Sequence, residues 1–420
     1  MRYSDEFGLV QCFYHEADRS VIIDDLGSYI KKKGFPGFSA NGMTSFMTFR
    51  YPVHGFTMFN GMKRVPYGFA MDDDGEIHKK WAPRFPEKPV NFETASGEVE
   101  RHLLESVKKL KLDQYKKVAV MVSGGLDSSL IVALVRKLFP KKDIYTYAAG
   151  FYGDDEFQYA RKIAETYETI HSEVMLYRDD YIGERSLLRL LVEFKAEPLH
   201  PNELALAYCE RKASEDGCEI GLCGEGADDI FGGYGKNFRM YIDWEHNGRD
   251  RQFLEFFLDN YRYYSMEDRN RIIRQEYLVN DIELVLECLD SSEVPNELFN
   301  YAIYFTQRFH TPGLITRGAN AMRFNNLIPA FPYIDPELVD YVNSLPFDYK
   351  VHWKSEEEKK SALTARLNRD EITEKLDTPK YILKKVAEKY LPHHCCPKQL
   401  QVLIWDKENQ SIRDPLSCFS

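Results

Sequence analysis

The sequence predicts an α/β protein built on a doubly wound parallel sheet, with a helical C-terminal part and a small β-rich region in front. Three observations predict this class. Residues 117–122 form a continuous apolar run, which is typical of a strand buried on both faces of a sheet. Strand and helix patterns alternate as far as residue 222. Beyond about residue 250, strand patterns give way to aromatic segments with helical periodicity.

The size and composition of the chain exclude several classes of protein. The chain has 420 residues, a net charge of −11 at pH 7, 27 tyrosines and 27 phenylalanines. The length predicts two or three domains, and so many aromatic residues exclude a disordered chain. The acidic charge argues against general binding of nucleic acid or of an anionic membrane. Because long apolar runs and a signal-peptide pattern are lacking and the eight cysteines are scattered, we expect a cytoplasmic protein with reduced thiols.

The first 90 residues are predicted to be a β-rich domain. Short aromatic and β-branched runs occur at 21–23, 45–51 and 67–71, separated by Gly, Pro and Asn residues that favour turns. A Pro-rich stretch at 83–89 indicates a linker to the rest of the chain.

The second predicted domain, residues 95–420, begins with alternating helices and strands. The apolar pattern predicts a helix over 95–111, a strand at 117–122, a helix through 130–135, a strand at 144–149, a helix over 156–167 and a strand at 219–222. Strands that alternate with helices pair in parallel, because each helical crossover returns the chain to the same end of the sheet.

A glycine-rich string, SGGLDSS, occupies residues 123–129 between the first of these strands and its helix. The glycines let a phosphate approach the backbone, and the N–H groups of a helix N-terminus and the serine hydroxyls can bind it. Asp127 would repel a phosphate unless it holds a magnesium ion that bridges the phosphates. The string lacks the Gly-Lys-Ser/Thr ending of the P-loop. The alternative is a tight strand-to-helix turn capped by serine.

A second string, GEGADDIFGGY, occupies residues 224–234 and follows the strand predicted at 219–222. Its carboxylates therefore lie at the carboxyl edge of the same sheet, where open α/β sheets bind their ligands. Asp228 could share one magnesium ion with Asp127, and Glu225 could take part in proton transfer or hold a cationic group. The alternative is an acidic, glycine-rich surface loop.

Together, and about 95 residues apart, the two strings resemble the synthetase domain of the asparagine synthetase family. Members of that family use ATP and magnesium to adenylate a carboxylate, and a nitrogen nucleophile then displaces AMP. The resemblance implies an adenine nucleotide alpha hydrolase-like sheet, and it implies that Asp127 and Asp228 hold magnesium on the pyrophosphate. The residues that it places around the nucleotide are Met121, Ser123, Gly124, Gly125, Leu126, Asp127, Ser128, Ala149, Cys223 and Gly224.

The resemblance continues to about residue 400. The later matching positions are Glu156, Ala160, Ile163, Ala164, His171, Glu197, Pro198, Arg317, Met322, residues 332–335, 380–384 and 390–392, Pro397 and Lys398. In the family, a lysine in this last position contacts the phosphates and stabilises the charge that develops in both steps. Lys398 is therefore implied as a catalytic residue, beside Glu225 from the second string.

Three departures from the family pattern bear on the site. Residues 328–331 are uncharged where the family usually has a Glu-x-Arg pair. If that pair shapes the acceptor end of the site, the acceptor acid here is not expected to be aspartate. Asp229 replaces the more common Glu, which shortens a side chain expected near the metal. The segment 351–377 is longer and more charged than expected for the family, which indicates an insertion.

Residues 47–51, 58–68 and 80–83 resemble the last third of the glutaminase domain of glutamine-using family members. Those members begin with Met-Cys, and the cysteine hydrolyses glutamine with its own amino group as base. Here residue 2 is Arg, and Cys12 has no free α-amino group unless the chain is processed. This region is therefore expected to be a reduced, non-hydrolytic remnant of an Ntn glutaminase domain, in a chain about a hundred residues shorter than a glutamine-using member.

The leading hypothesis is an ATP- and magnesium-dependent amide ligase that acts on a small-molecule or peptide carboxylate. Its nitrogen would come from free ammonia, a separate glutaminase or a substrate amine. An intramolecular amide former ranks second, since β-lactam synthetases have Tyr at the position of Glu225. Other ATP pyrophosphatases share the first string but not the second, and a non-catalytic protein would have lost Asp127, Asp228 and Lys398. No nucleic acid or membrane partner is expected, and a homodimer is left open.

Overall fold

The computed structural model describes residues 2–86, 89–151, 157–183, 186–290, 292–295 and 297–392. None of the helices in these ranges has the length and apolar character that crossing a membrane requires. Three of the positions that carry the resemblance, Glu156, Pro397 and the candidate catalytic residue Lys398, lie outside the described residues.

The N-terminal region contains two small antiparallel sheets and two helices. Its elements are the strands β1 (Arg2–Tyr3), β2 (Phe13–His15), β3 (Asp18–Ile23), β4 (Met62–Arg64), β5 (Phe69–Met71) and β6 (Ile77–Lys79), and the helices α1 (Leu26–Lys33) and α2 (Ala40–Phe49). One sheet has the strand order β3-β2-β4 and the other β1-β5-β6. The runs at 21–23 and 67–71 supply strand residues, as predicted.

The prediction of a strand at 45–51 is wrong, because most of these residues lie in α2. The Ser39 side chain caps the helix by accepting a hydrogen bond from the Gly42 N–H group at 3.2 Å. Within the helix, the Thr48 hydroxyl donates to the Thr44 carbonyl at 2.9 Å, and both residues are fully buried. The β-branched and aromatic residues here fill a core, and such tertiary packing overrides their β propensity.

Five parallel strands form the main sheet, in the order β11-β10-β7-β8-β9. They are β7 (Val118–Met121), β8 (Ile144–Phe151), β9 (Ile170–Leu176), β10 (Ile220–Leu222) and β11 (Ile328–Ala330). The helices that accompany them are α3 (Phe92–Lys109), α4 (Leu126–Leu138), α5 (Phe157–Thr166), α6 (Arg178–Ile182), α7 (Leu188–Lys195), α8 (Pro201–Glu215) and α9 (Ala227–Phe231). The structure confirms the predicted parallel α/β class and the strands expected at 117–122, 144–149 and 219–222.

The two edge strands escaped sequence prediction for different reasons. Strand β9 mixes polar with apolar residues, and most of them are only half-buried, so it lacks the apolar run of a central strand. Strand β11 is three residues long and contains Pro329, which a sheet tolerates at an edge because proline has no N–H group to donate. Its partner, β10, lies about a hundred residues earlier in the chain.

The C-terminal part is helical, as predicted. Its elements are α10 (Gly235–Phe238), α11 (Met240–Asn247), α12 (Phe253–Tyr261), α13 (Met266–Ile272), α14 (Asp281–Cys288), α15 (Leu298–Phe309), α16 (Thr311–Phe324), α17 (Pro336–Asn343), α18 (Phe347–Lys350), α19 (Glu356–Thr364), α20 (Arg369–Ile372) and α21 (Tyr381–Ala387), with the strand pair β12 (His352–Trp353) and β13 (Asp377–Thr378). The charged stretch 351–377 is anchored to this body, because the fully buried Arg239 places its Nε 3.0 Å from Asp377 Oδ2.

A shared core joins the N-terminal region to the C-terminal helices. Phe49 and Tyr51 of the N-terminal region pack in one cluster with Phe257 and Phe305. The ring centroids of Phe49 and Phe305 lie 6.0 Å apart. Because these side chains bury one another, we infer that the N-terminal region and the helices stabilise each other.

Lys350 is a buried lysine that costs stability within this body, although its Nζ donates to the Asn343 carbonyl at 3.5 Å. The residue is fully buried, and burial lowers its pKa to about 7 although the Glu297 carboxylate opposes the shift. A lysine whose pKa is lowered by folding destabilises the protein most at pH values below its folded pKa. This loss of stability declines as the pH rises from the folded pKa toward the unfolded pKa. We expect Lys350→Met to raise the free energy of unfolding at pH 7 by roughly 3–5 kcal/mol.

The advantage of the Lys350→Met variant over wild type should narrow by roughly 2–3 kcal/mol between pH 7 and pH 9, because the native lysine then loses its proton. Denaturant unfolding of both proteins at the two pH values measures this. Lys360→Met, at an exposed helical position, is the matched control and should show no such trend. A stability difference that is independent of pH would contradict the assignment.

Candidate active site

Two loops meet where the strand order of the main sheet changes direction. From β7 the chain continues to β8 on one side, and β10 lies on the other side of β7. The loop after β7 contains SGGLDSS, and the loop after β10 contains GEGADD. Since all strands are parallel, both loops leave the sheet at its carboxyl edge, at the topological switch point where such folds bind ligands.

The loop after β7 is shaped for an anion at the N-terminus of α4. Gly124 has φ of +79°, and a Cβ atom there would lie 2.4 Å from Tyr159 Cβ, so only glycine fits. The Ser123 N–H group donates to Ser128 Oγ at 3.2 Å and fixes the loop. Gly125 occupies the cap position without a side-chain cap, so the first N–H groups of α4 remain available to a phosphate.

The loop after β10 approaches the first loop closely. A Cβ atom on Gly224 would lie 3.1 Å from the Ser128 backbone nitrogen and 3.3 Å from Asp127 Cβ. Gly226, with φ of +96°, then turns the chain into α9, which carries Asp228. The glycines therefore bring the two predicted metal ligands to one place.

Lys380 lies between the two carboxylates that the sequence assigns to magnesium. Its Nζ is 2.6 Å from Asp127 Oδ2 and 2.7 Å from Asp228 Oδ1. Burial lowers the pKa of Lys380, but the two carboxylates outweigh that effect and raise it above its ordinary value. We name this cluster, Asp127, Lys380 and Asp228, the carboxylate–lysine triad.

The sequence marks the segment 380–384 as similar to the family but assigns Lys380 no role. What distinguishes Lys380 is its left-handed backbone, with φ of +52° at the start of α21. The sequence alone does not reveal that conformation. The sequence favours Lys398 instead, and that residue lies outside the part of the chain that the structure describes.

The triad retains capacity for a further cation. Burial raises the pKa of Asp127 to about 6, even though Lys380 opposes the shift. Asp127 Oδ1 is buried and has no hydrogen-bond partner among the described residues. A buried carboxylate oxygen without a partner is costly, and a bound metal ion would remove that cost.

The carboxylates fit magnesium better than a metal that needs a complete protein cage. Within the described residues, no group of three or more His, Cys, Asp or Glu side chains is arranged to hold a metal ion. Magnesium usually takes one or two protein carboxylates and completes its shell with phosphate oxygens and water. Asp127 and Asp228 meet that requirement.

Glu225 and Asp229, on either side of Asp228, have different surroundings. Glu225 Oε1 lies 3.6 Å from Arg317 Nη2, and burial raises the pKa of Glu225 while Arg317 opposes the shift. Asp229 is fully buried and its Oδ1 accepts a hydrogen bond from the Thr311 hydroxyl at 2.7 Å. Burial raises the pKa of Asp229 to about 8, so this carboxyl is largely protonated at pH 7 and is held by α16 rather than by the triad.

The remaining nucleotide residues predicted from sequence lie along the same edge. Met121 is the last residue of β7 and pairs with Tyr147, so Ala149 lies two residues further toward the carboxyl edge on β8. The Cys223 N–H group donates to the Ala330 carbonyl at 3.1 Å. Burial raises the pKa of the Cys223 thiol, which therefore stays neutral.

The family model described as asparagine synthase matches residues 98–400. The match covers more than half of the chain and includes both glycine-rich loops. The chain therefore belongs to the asparagine synthase family.

Curated relatives are glutamine-hydrolysing asparagine synthetases. The chain is 23% identical over 427 aligned positions to asparagine synthetase 1 of Bacillus subtilis, covering 93% of this chain and 63% of that protein. It is 23% identical to asparagine synthetase 3 of the same organism, covering 71% of this chain and 50% of the relative. A putative asparagine synthetase of Methanocaldococcus jannaschii is 26% identical, over 49% of this chain and 37% of its own length. The chain thus spans less than two thirds of these relatives.

The carboxylate–lysine triad predicts that magnesium can replace the charge of Lys380. We expect Lys380→Met to lower the free energy of unfolding without metal by roughly 1–3 kcal/mol, because two partly buried carboxylates lose their shared cation. Added magnesium should then raise the melting temperature of this variant more than that of wild type. Equal magnesium responses would contradict this assignment. Lys385→Met, which removes a surface ion pair with Glu388, is the control and should change neither quantity.

Proposed function

We propose that the protein is an ATP- and magnesium-dependent carbon–nitrogen ligase. It adenylates a substrate carboxylate and couples it to ammonia or an amine, with release of AMP and pyrophosphate. The observation that carries the proposal is the juxtaposition of Asp127 and Asp228 at the open N-terminus of α4. Family membership supports the same reaction class.

The loop residues 123–128 would hold the phosphates. The backbone N–H groups at the start of α4 lack a side-chain cap and could donate to an anion. The close approach of Gly224 leaves room only for backbone between the two loops. Asp127 and Asp228 would hold magnesium, which supplies charge neutralisation on the pyrophosphate when it is bound. Met121, Ala149 and Cys223 would line the nucleotide at the strand ends.

Lys380 lies where it could bind the phosphates of the nucleotide. Asp127 and Asp228, which contact the Lys380 ammonium, would hold magnesium, and the ammonium would then be available to bind phosphate oxygens. Lys380 would thereby act beside Lys398, the residue to which the family resemblance assigns the contact with the phosphates.

Glu225 would act at the acceptor end of the site. Its raised pKa brings it closer to the range in which a carboxylate accepts a proton from an attacking nitrogen at neutral pH. The Arg317 guanidinium at 3.6 Å holds the side chain in place. In an intramolecular amide former, the second candidate, the first half-reaction would be the same.

The nitrogen would be free ammonia, ammonia from a separate glutaminase or a substrate amine. Cys12 is buried in a small cluster with Tyr14, Val65 and Met71. An internal, buried thiol cannot use its own amino group as a base. Residues 1–90 would therefore serve as a non-hydrolytic region.

The metal assignment predicts a large loss of activation chemistry in two isosteric variants. We expect Asp127→Asn and Asp228→Asn each to reduce ATP–pyrophosphate exchange by roughly 10²–10³-fold, because the carboxylate that would hold magnesium on the pyrophosphate is lost. Exchange is measured with a panel of small carboxylic acids. Asp113→Asn, at an exposed position, is the control. Full exchange by Asp127→Asn would overturn the assignment.

The nitrogen assignment is tested separately. The purified chain incubated with glutamine should release no glutamate, whereas ammonium should discharge the activated acid and form its amide. Measurable glutamate release by the chain alone would show that the N-terminal region is hydrolytic. Amide formation without any added nitrogen would instead favour the intramolecular reaction.

A further inference from the structure

A cavity lies where the N-terminal region meets the synthetase part of the chain. Arg50 and Tyr51 line it from the N-terminal side, and His200, His310 and Arg317 line it from the other side. We call this cavity the junction pocket. Arg317 also lies 3.6 Å from Glu225, so the pocket adjoins the acceptor end of the proposed active site.

The charges around the junction pocket are unequally compensated. Its carboxylates are already paired, since Glu197 lies 3.1 Å from Arg64 and Glu203 lies 2.6 Å from Lys195. Arg50 forms no ion pair with any carboxylate among the described residues. Its guanidinium carbon instead lies 3.8 Å from the centre of the Tyr263 ring. The pocket therefore has an excess of positive charge.

The side chain that the Arg50 guanidinium contacts by a hydrogen bond is the histidine His200, which is not a carboxylate. His200 caps α8, and its Nδ1 accepts the Asn202 N–H group at 3.2 Å. Burial, with Arg317 and Arg50, lowers the pKa of His200 to about 2, so the ring is neutral. Its Nε2 lies 3.0 Å from Arg50 Nη1, and the direction of this hydrogen bond depends on the ring tautomer. A neutral ring does not compensate the charge of Arg50, so an anionic group in the pocket would.

Arg317, on the other side of the pocket, has a donor without an acceptor. Its Nε is buried and has no hydrogen-bond partner within the described part of the chain. Its contact with the Glu225 carboxylate is long for a hydrogen bond. Burial, together with Arg50 and Arg317, also lowers the pKa of His310 to about 3, so this neighbouring ring is neutral as well. Two guanidinium groups therefore face one small cavity whose lining carboxylates are engaged elsewhere.

We propose that Arg50 is a specificity-determining residue for the acceptor acid. With Arg317, it binds an anionic group that the acid carries in addition to the carboxylate presented for activation. The N-terminal region thereby completes the acceptor pocket of the synthetase part instead of supplying nitrogen. This inference rests on the proposed ligase function, whose acceptor lies beside Glu225.

The size of the junction pocket limits that anionic group. Its free volume of about 30 Å³ has room for about two water molecules. A carboxylate has three heavy atoms and suits such a space better than the larger phosphate. The uncharged segment 328–331 supplies no cation, so the positive charge for this second carboxylate comes from Arg50 and Arg317.

The test compares acids that differ only in the second anionic group. Succinate and its monoamide, succinamate, are tested for ATP–pyrophosphate exchange alongside other diacids and their monoamides. Wild type should favour a diacid over its monoamide. Arg50→Gln should raise the KM for the diacid about ten-fold or more, change its kcat less than about two-fold, and leave the KM of the monoamide unchanged. Arg50→Lys should restore part of the preference, because it retains the charge.

A binding measurement makes the result independent of turnover. At constant ionic strength, succinate should raise the melting temperature of wild type and of Arg50→Lys but not of Arg50→Gln. Arg19→Gln is the matched control, because Arg19 lies in the same region and donates to the Gly75 carbonyl at 2.9 Å, outside the junction pocket. This control should behave as wild type.

The outcomes separate the inference from the proposed function. If acids support exchange but Arg50→Gln leaves the ratio between diacid and monoamide unchanged, the inference is overturned and the ligase function stands. If no acid supports exchange, both the proposed ligase function and the specificity role of Arg50 are overturned. A uniform loss of activity toward all acids in Arg50→Gln would show a structural role only and would overturn the inference.

Discussion

The close contact between Asp127, Lys380 and Asp228 is the constraint on which the site depends. Two carboxylates at the switch point of a parallel sheet would repel each other at low dielectric, and the Lys380 ammonium 2.6 and 2.7 Å away compensates them. That contact requires α21 to begin beside α4 and α9, although its residue is about 250 positions from Asp127 in the chain. The SGGLDSS loop, the two aspartates and the last described helix are thereby placed as one unit.

A second dependence links the N-terminal region to this unit. Phe49 and Tyr51 are buried among helices of the C-terminal part, and the residue between them, Arg50, faces the junction pocket. The Tyr67 hydroxyl lies 3.1 Å from the Thr316 hydroxyl, one residue before Arg317. A region that resembles part of a glutaminase domain thus contributes structure, and in our proposal specificity, to the opposite domain.

The local sequence was sufficient to predict the two loops and the central strands. Glycines at 124 and 226 have positive φ, and apolar runs mark the central strands, so both loops and the sheet class could be predicted. Prediction was wrong for α2, because its β-branched and aromatic residues fill a core and their propensity does not decide their structure. It missed β9 and β11, because edge strands have weak local patterns. Asp229 was expected beside the metal, but burial against Thr311 holds it elsewhere.

The sequence by itself determined the parallel sheet, the two glycine-rich loops and the acidic residues that belong to them, because these features depend on neighbouring residues and on strand-to-helix turns. Only the tertiary structure decided which distant cations meet those carboxylates. Lys380 and Arg50 look like ordinary charged residues in the sequence. Their roles come from burial, which removes water and makes each unpaired charge or donor require a partner brought from another part of the chain.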